Sequence, residues 1–421
     1  MKVYKFGGAS VNDPAGIINL AKIVSSESSD LVIVVSAFGK TTNSLERLLR
    51  AWINNEDFMP VLELVYNLHL FVLKALFDGR EEAKNKIDIS FASLKNYLLT
   101  TKKGKFDFEY DQIVSYGEIW STIIVEAFLK SSGMDTKWID IKESLITDDR
   151  YRDSNILWEV SSARIIKSFD FSKNKIYVTQ GFIGGTISGQ STTLGREGSD
   201  YTAAILANIL NAECAVVWKD VPGIMNADPK WRPDATMLSE LSYKEAVEMT
   251  FSGAKVIHPK TIKPLHNKNI PLLVKSFLHP LEIGTIIKAD AKPDKIVPVF
   301  IRKEDQILIS ILPKDFSFVM GDNLSLVFHS FMTNGIKVNL VQASAVSINV
   351  CVDDERLKVD ALIEDLSKDF KAIYNDKAEM LSIRHYTLEA IEGITAGREI
   401  LLEQRTRKIV QYVMKKQADP R

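Results

Sequence analysis

The stretch Val3-Tyr-Lys-Phe-Gly-Gly-Ala-Ser10 places a lysine on a predicted strand and two glycines directly after it. Successive side chains of a strand point to opposite faces, so Lys5 can extend from the strand end towards a ligand. Glycine has no Cβ, and Gly7 and Gly8 therefore let backbone N–H groups approach an anion closely. The stretch predicts a phosphate-binding turn, although a plain strand-to-turn connection would explain it equally well.

A second glycine loop, Thr192-Thr-Leu-Gly-Arg-Glu-Gly-Ser-Asp200, leads into a helical pattern. Ser199 and Asp200 stand where N-cap residues belong. We therefore expect free N–H groups and the positive end of the helix dipole to face whatever the loop binds. The apolar residues of this pattern are Ala203, Ala204, Leu206, Ala207 and Leu210.

From residue 1 to about 290, short apolar runs alternate with helical patterns. The pattern predicts a helix over Ala15–Ser25, a strand over Leu31–Ser36 and helices between Ser44 and Leu99. Such alternation is typical of an α/β fold with a mainly parallel sheet between helices, whose ligands bind at the carboxyl ends of the strands. We expect the helical excursion Phe58–Lys105 to be the most mobile part of this half.

After Pro293 the pattern becomes βαββαβ, the order of ferredoxin-like folds. A second, shorter copy begins near Met380. The sequence therefore predicts three domains, at residues 1–292, 293–378 and 379–421. The predicted elements of the first copy are strand Gln306–Leu312, helix Asn323–Asn334, strands Lys337–Gln342 and Val346–Val352, helix Glu355–Phe370 and strand Lys371–Asn375; those of the second are strand Met380–Tyr386, helix Leu388–Gly397 and strands Ile400–Gln404 and Lys408–Met414.

Composition excludes several classes of function. The 421 residues include 53 basic and 54 acidic ones, a balance that argues against nucleic acid or an anionic membrane as a partner. Cys214 and Cys351 are isolated in apolar strands, and the six histidines lack ligand spacing, so neither a metal site nor a serine–histidine triad is expected. No apolar run approaches the ~18 residues of a membrane span, and no signal-peptide pattern opens the chain. We expect a cytoplasmic protein.

Four motifs, KFGGAS, TTLGREGSDYTA, KDVPGIMNADP and Gly253-Ala-Lys-Val-Ile-His-Pro259, together resemble aspartate kinases of the amino-acid kinase family, in that family's order and spacing. The resemblance implies an amino-acid kinase domain followed by amino-acid-sensing ACT units. It also implies transfer of the γ-phosphate of ATP to the side-chain carboxylate of L-aspartate, the first step towards lysine, threonine and methionine. The chain stops at Arg421 without a homoserine dehydrogenase extension, so a monofunctional enzyme is expected.

Joining a carboxylate to a phosphate brings two anions together, and the nucleophile needs no general base. Charge neutralisation is therefore the main task. By resemblance, the catalytic residues are Lys5, Arg196, Asp200 and Lys255, and the nucleotide-binding residues are Lys5, Phe6, Gly7, Gly8, Ser36, Lys219, Asp220, Lys230 and Lys255. The resemblance leaves open whether Lys230 or Arg232 meets the phosphates. Mg²⁺ is expected with ATP, held mainly through phosphates and water.

The acceptor side is implied to contain Thr42, Glu118, Arg196 and Ser199. Arg196 would grip the α-carboxylate through two parallel hydrogen bonds, and Glu118 would receive the ammonium. Asp200 could cap the helix, orient Lys5, or do both. Ala9 stands where the family usually has threonine, which removes one hydroxyl contact.

Two other functions are compatible with this fold. One is a catalytically inactive amino-acid sensor, which the phosphate-facing lysines argue against; the other is a kinase of another amino acid, such as glutamate. A Walker-type P-loop ATPase is excluded because no G-x-x-x-x-G-K-[ST] motif occurs.

ACT units usually pair edge to edge, so a homodimer through residues after about 300 is expected, with an amino-acid effector bound there. The family's effector-binding stretches match 320–325 and Val338–Val346. Lysine-sensitive relatives typically have carboxylates at the positions of Asn339 and Ala345. Their absence predicts weak lysine inhibition.

Overall fold

The computed structural model describes residues 1–76, 81–254, 257–292, 296–315, 317–319 and 321–416. These divide into two compact units. Unit 1 comprises Met1–Ile224, Met237–Val247 and the described residues from 257 to 292. Unit 2 comprises Met225–Thr236, residues 248–254 and the described residues from 296 to 416.

Unit 1 is a layered α/β structure. Its strands are β1 (Lys2–Phe6), β2 (Leu31–Val35), β3 (Thr136–Ile139), β4 (Ile146–Thr147), β5 (Ile176–Gln180), β6 (Ile183–Thr186), β7 (Ser191–Thr193), β8 (Cys214–Lys219), β9 (Glu240–Ser242), β10 (Leu272–Ser276) and β11 (Thr285–Lys288). The helices are α1 (Pro14–Ser25), α2 (Thr41–Ile53), α3 (Met59–Leu76), α4 (Glu81–Thr100), α5 (Phe106–Ser131), α6 (Trp158–Ser168), α7 (Gly198–Ile209) and α9 (Pro259–Asn267), while α8 (Tyr243–Phe251) has residues in both units.

Among the described residues, the main sheet has the strand order β3-β5-β2-β1-β8-β10-β11-β9. Its neighbours are parallel except for β10 and β11. Every residue of β2 is buried, as expected for a parallel strand with both faces covered. Phe6 lies in register with Val35 on one side and with Trp218 on the other. The carboxyl ends of β1, β2 and β8 therefore meet at one edge, and the predicted α/β fold is confirmed.

The helical excursion forms α3 and α4, as the apolar pattern predicted. The expectation that no apolar run reaches the length of a membrane span was wrong, because α3 has 18 residues with a mean hydropathy of 1.4. This helix buries one face, including Leu62, Val65, Val72 and Leu73, and contacts α1, α2, α4 and α5. Only 28% of its residues are buried, and Leu64, Leu68 and Phe71 on its other side are exposed.

In its described part, unit 2 is built on one six-stranded β-sheet together with three helices. Six strands of the described chain form a sheet in the order β13-β14-β12-β15-β17-β16, with antiparallel neighbours throughout. This arrangement confirms the predicted ferredoxin-like pattern. The elements are β12 (Val299–Pro313), α10 (Asp322–Thr333), β13 (Val338–Ala343), β14 (Ile348–Asp353), α11 (Arg356–Leu366), β15 (Phe370–Arg384), α12 (Leu388–Thr395), β16 (Ile400–Arg405) and β17 (Ile409–Lys415).

The strands β12 and β15 each serve both βαββαβ repeats. Their pairing runs from Val299 opposite Arg384 to Pro313 opposite Phe370, with register shifts between Lys303 and Leu308. The second half of β15 begins the second repeat, which continues through α12, β16 and β17. Its fourth strand is the first half of β12, which precedes the first repeat in the chain. The second copy looks short in sequence because that strand lies upstream, and residue 379 falls inside β15.

Candidate active site

A cavity of about 580 Å³ opens in unit 1 where β1, β2 and β8 end and α7 begins. The structure brings nine of the residues selected from the sequence together in its wall. They are Lys5, Gly8, Ser36, Thr42, Glu118, Arg196, Ser199, Asp200 and Lys219. The cavity thus combines cations, hydroxyls and helix N-termini with the buried carboxyl groups of Glu118 and Asp200.

Lys5 and Asp200 form an ion pair at the centre of this wall. The Lys5 Nζ lies 2.7 Å from the Asp200 Oδ1, and the Asp200 side chain is only 5% exposed. Burial raises the pKa of Asp200, but the positive charges of Lys5 and Lys219 outweigh it, and the pKa lies below its ordinary value. Asp200 is therefore ionised and holds the Lys5 ammonium in place.

The turn after β1 is packed tightly against the turn after β2. A Cβ on Gly8 would lie 2.4 Å from the Ala37 carbonyl oxygen, which leaves no room for any other residue. The Gly39 N–H donates to the Gly8 carbonyl oxygen at 3.0 Å. Gly7 lies beside the lysine, since a Cβ there would be 3.5 Å from the Lys5 Nζ. Glycine at both positions brings the backbone close to the ammonium group.

Helix α7 begins earlier than the sequence suggested. Its N-cap is Glu197, with a φ of 55° and no side-chain capping hydrogen bond, so Ser199 and Asp200 lie in the first turn and the predicted N-cap assignment was wrong. The Ser36 Oγ donates to the Ser199 Oγ at 3.0 Å. The Glu197 Oε2 accepts from the His258 N–H at 2.9 Å, which fixes the cap. Asp200 orients Lys5 instead of capping the helix.

Glu118 is a buried carboxyl group on α5. Its Oε1 accepts from the Ala37 N–H at 3.4 Å, while its Oε2 has no hydrogen-bond partner among the described residues. Gly117 lets α5 approach this loop, since a Cβ there would be 3.0 Å from the Ala37 Cβ. Burial raises the pKa of Glu118 to about 8. An unpartnered buried carboxyl beside a cavity fits a positively charged ligand group.

Arg196 presents a guanidinium to the same cavity from the loop before α7. It is exposed and forms no ion pair with any described residue. The preceding Gly195 has a φ of 76°, a conformation that favours glycine. The guanidinium is thus available to bind a carboxylate.

The other selected residues lie outside the cavity wall or outside the described chain. Phe6 is fully buried and stacks on Trp218 with ring centroids 6.0 Å apart, so its side chain is a core residue and only its backbone remains for the predicted nucleotide contact. Asp220 is exposed in unit 1, and Lys230 is exposed in unit 2. Lys255 lies outside the described residues.

Arg232, the alternative to Lys230, is already engaged within unit 2. Its Nε lies 3.1 Å from the Asp234 Oδ1, and its guanidinium carbon lies 3.8 Å from the centroid of the Phe300 ring. Lys230 has no comparable side-chain partner among the described residues. Of the two side chains, Lys230 is the more available.

Sequence reasoning missed a second polar group that shapes the cavity. Asp111 is buried on α5 and accepts from both the N–H and the Oγ1 of Thr193, at 2.9 Å and 2.7 Å. It also accepts from the Arg152 N–H at 3.0 Å. Burial outweighs these hydrogen bonds and raises the pKa of Asp111 to about 6. The available signal was the spacing of Asp111 and Glu118, which lie seven residues apart on one helix face.

Residues 1–276 match the amino acid kinase family. The chain belongs to the amino acid kinase family, and the cavity at the ends of β1, β2 and β8 lies within the matched residues.

Within that family the chain is similar to aspartokinases. It is 31% identical to lysine-sensitive aspartokinase 3 of Escherichia coli over 83% of this chain and 78% of that one. The structure of E. coli aspartokinase III in complex with aspartate and ADP superposes with a TM-score of 0.81, at 25% identity over 99% of this chain and 96% of that chain. The bifunctional aspartokinase/homoserine dehydrogenase of Buchnera aphidicola is 30% identical over 84% of this chain. The chain spans 44% of the length of that bifunctional relative.

Proposed function

We propose that this protein is an aspartate kinase, which transfers the γ-phosphate of ATP to the side-chain carboxylate of L-aspartate and releases 4-phospho-L-aspartate and ADP. The observation that carries the proposal is one cavity that holds the Lys5–Asp200 pair, the unpartnered Glu118 carboxyl and the unpaired Arg196 guanidinium. The similarity to aspartokinases over most of the chain supports the same assignment.

In the proposed reaction a carboxylate oxygen of the acceptor attacks the γ-phosphorus, and the bond to the β,γ-bridging oxygen breaks. No proton moves, so the residues act by position and charge. Lys5, fixed by Asp200, neutralises charge on the transferring phosphate. The first turn of α7 lines the same cavity, so the positive end of its helix dipole favours the phosphate as well. Lys219 and Asp220 are assigned to the nucleotide, and Lys230 and Lys255 to its phosphates.

Arg196 binds the α-carboxylate of the acceptor, and Glu118 binds its ammonium group. Thr42, Ser36 and Ser199 supply hydroxyl groups to the same cavity. Mg²⁺ would neutralise phosphate charge when it is bound with ATP. Within the described residues no group of three or more His, Cys, Asp or Glu side chains is placed to hold a metal ion. In the proposed complex, the ATP phosphates and water supply most of the magnesium ligands, as is usual for Mg²⁺ bound with a nucleotide.

The test is a coupled assay of ADP release with L-aspartate, L-glutamate and N-acetylglutamate compared side by side. We expect activity with L-aspartate alone. Equal or greater activity with L-glutamate would favour the other amino-acid kinase. Binding of L-aspartate without ADP release from any acceptor would identify the inactive sensor.

Replacing Glu118 with glutamine is expected to raise the KM for L-aspartate and to remove its dependence on pH. The pKa of about 8 means that the empty site holds Glu118 protonated at neutral pH. Binding an ammonium group favours the ionised form, so binding releases a proton, and the KM of the wild type falls as pH rises towards about 8 and then levels off. Steady-state kinetics at a series of pH values would measure the slope of KM against pH for the wild type and for Glu118→Gln.

The same carboxyl group makes the folded protein less stable as pH rises, although it makes the binding of L-aspartate stronger. The folded protein holds a proton on Glu118 that the unfolded chain loses above a pH of about 4.3. The free energy of unfolding therefore falls as pH rises from there towards about 8. For the effect on KM, Glu126→Gln is a matched control, because Glu126 is buried on the same helix but accepts from the Thr136 Oγ1 at 3.1 Å outside the cavity wall. It should leave the pH dependence of the KM unchanged. A KM slope retained in Glu118→Gln would contradict the assignment.

Unit 2 is proposed to bind an amino-acid effector and to form a homodimer. The polar cluster at Asn339 bears on the choice of effector. The Asn339 Oδ1 accepts from the Lys303 Nζ at 2.7 Å, and its Nδ2 donates to the Gln306 Oε1 at 2.8 Å and to the Asp353 Oδ1 at 2.9 Å. The Lys303 ammonium thus already occupies the amide oxygen of Asn339, a residue of the proposed effector-binding stretch.

Lysine inhibition is therefore expected to be weak. A bound lysine ammonium would meet the charge of Lys303 and would find neither a carboxylate at Asn339 nor one at Ala345. Activity and thermal stability measured against millimolar lysine and threonine separately would test this. Tight lysine inhibition that survives Asn339→Ala would contradict it. We further propose a cytoplasmic location, with neither nucleic acid nor a membrane as a partner.

A further inference from the structure

Arg152 is a cation of the same cavity to which the proposed mechanism gives no role. Its side chain lines the wall together with Lys5, Glu118 and Arg196. Its backbone has a φ of 70°, in the left-handed region where a residue with a Cβ is strained. Strained residues that are not glycine concentrate at functional sites. A large side chain kept at a position that favours glycine needs an explanation from what that side chain does.

The backbone of Arg152 is tied to the helix that carries Glu118. Its N–H donates to the Asp111 Oδ2 at 3.0 Å, and Asp111 is fully buried on α5. Asp111 precedes Glu118 by seven residues, which is two helical turns. The position of Arg152 is therefore fixed relative to the group assigned to the acceptor's ammonium.

The backbone of Arg152 also lies against the loop that carries Arg196. The Ser154 N–H donates to the Thr193 carbonyl oxygen at 3.0 Å. A Cβ on Gly195 would lie 3.2 Å from the Arg152 carbonyl oxygen. By contrast, among the described residues no hydrogen bond or ion pair joins Arg152 to β1 or β8, which carry Lys5 and Lys219. These contacts place Arg152 on the acceptor side of the cavity.

The Arg152 guanidinium is pre-oriented but weakly held. Its Nη1 lies 3.3 Å from the Asp107 Oδ1, in a pair whose side chains are 46% and 61% exposed. Exposed pairs of this kind contribute little, so the guanidinium can exchange Asp107 for a better partner. Its carbon lies 4.6 Å from the centroid of the Tyr110 ring, which also lines the cavity. An aromatic face keeps the guanidinium plane in one orientation while its N–H groups stay available.

We propose that Arg152 is a second specificity-determining guanidinium, which binds the α-carboxylate of the acceptor together with Arg196. The inference rests on the proposed function, because it concerns how that acceptor is recognised. Two guanidinium groups on one carboxylate make the site select an amino acid whose α-carboxylate is free. Neither group contacts the reacting carboxylate in this assignment.

The test compares the wild type with Arg152→Gly and Arg152→Ala. Each enzyme is assayed with L-aspartate and with its α-amide, which keeps the side-chain carboxylate and replaces the α-carboxylate by a carboxamide. The α-amide is measured as a substrate or as a competitive inhibitor, and calorimetry gives the Kd of L-aspartate. We expect KM and Kd for L-aspartate to rise about tenfold, the effect of losing one charged hydrogen bond. The kcat, the KM for ATP and the affinity for the α-amide should stay unchanged.

Arg152→Gly distinguishes the loss of the guanidinium from a folding defect. Glycine adopts a positive φ without strain, so we expect this variant to unfold at a Tm no lower than that of Arg152→Ala. Arg150→Ala is the matched control, because Arg150 is exposed on the same loop and outside the cavity wall. It should leave every constant unchanged.

Three results would overturn the proposal for Arg152. One is an unchanged KM for L-aspartate in Arg152→Gly, another is an equal loss of affinity for the α-amide, and the third is a raised KM for ATP instead. Each of these presupposes a wild type active on L-aspartate. A wild type inactive on L-aspartate would refute the proposed function itself, so the two failures are distinguishable.

Discussion

Replacing Lys5 with alanine is expected to lower kcat for phosphoryl transfer to L-aspartate by at least about a hundredfold. Loss of one preorganised charge at a site of developing negative charge typically costs about 3 kcal/mol of transition-state stabilisation. Lys5 is preorganised by its 2.7 Å contact with Asp200 and by the two glycines that leave space around its ammonium. Steady-state kinetics with saturating ATP and aspartate would measure the loss. Near-normal turnover would refute the role of this lysine.

A loss of turnover in Lys5→Ala could also come from a destabilised fold, and the two causes must be distinguished. Lys5→Ala leaves the buried Asp200 carboxylate without its partner, which destabilises a protein by ~3–5 kcal/mol in comparable cases. The double variant Lys5→Ala/Asp200→Asn removes both charges and should recover much of that stability without recovering turnover. Lys2→Ala is the matched control on the same strand, because Lys2 pairs with Glu27 at 2.8 Å, away from the cavity. Its turnover should equal that of the wild type.

Arg196→Lys is expected to raise the KM for L-aspartate by roughly 10- to 100-fold and to change the KM for ATP little. A lysine keeps the charge but cannot form the two parallel hydrogen bonds that a guanidinium makes with a carboxylate, and hydrogen bonds to charged groups are worth ~1.5–3 kcal/mol. The variant keeps Gly195 and the start of α7 intact, so its Tm should match that of the wild type.

The comparison of the two KM values decides where Arg196 acts. A raised KM for ATP with a normal KM for aspartate would place this residue on the other substrate. Combining Arg196→Lys with Arg152→Gly adds a further check, because two groups that bind one carboxylate should show non-additive effects on KM.

The parts of the fold that the sequence could predict are set by local patterns. The alternating strand β1, the buried strand β2 and the apolar period of α7 each follow from a few neighbouring residues. Lys5 was identified because it lies near the end of a predicted strand, two residues before a pair of glycines, and because its KFGGAS motif resembles that of aspartate kinases. The side chain of Phe6, next to Lys5 in the chain, lies on the opposite face of β1 and packs in the core, as strand alternation predicts.

The parts of the fold and of the site that the sequence did not predict depend on contacts between residues far apart in the chain. Arg152 enters the site through Asp111, which lies 41 residues away in the chain, and no local pattern indicates that hydrogen bond. The N-cap of α7 was predicted at Ser199 or Asp200, but Glu197 takes this position in a left-handed conformation without a side-chain capping hydrogen bond. The fourth strand of the second repeat in unit 2 is Val299–Lys303, which pairs with residues about 80 positions later.

Because both repeats of unit 2 use strands β12 and β15, a mutation that truncates the second repeat would also affect the first. In the sequence, a premature stop codon near residue 379 deletes only the last repeat. In the folded chain it would strip Val299–Lys303 of the partners they have in Met380–Arg384, and it would remove Leu402 and Val413 from a core that also contains Leu308 and Leu340. The exposed edge would invite pairing with other chains. Late truncations should therefore behave as aggregating loss-of-function alleles, not as enzymes freed from regulation.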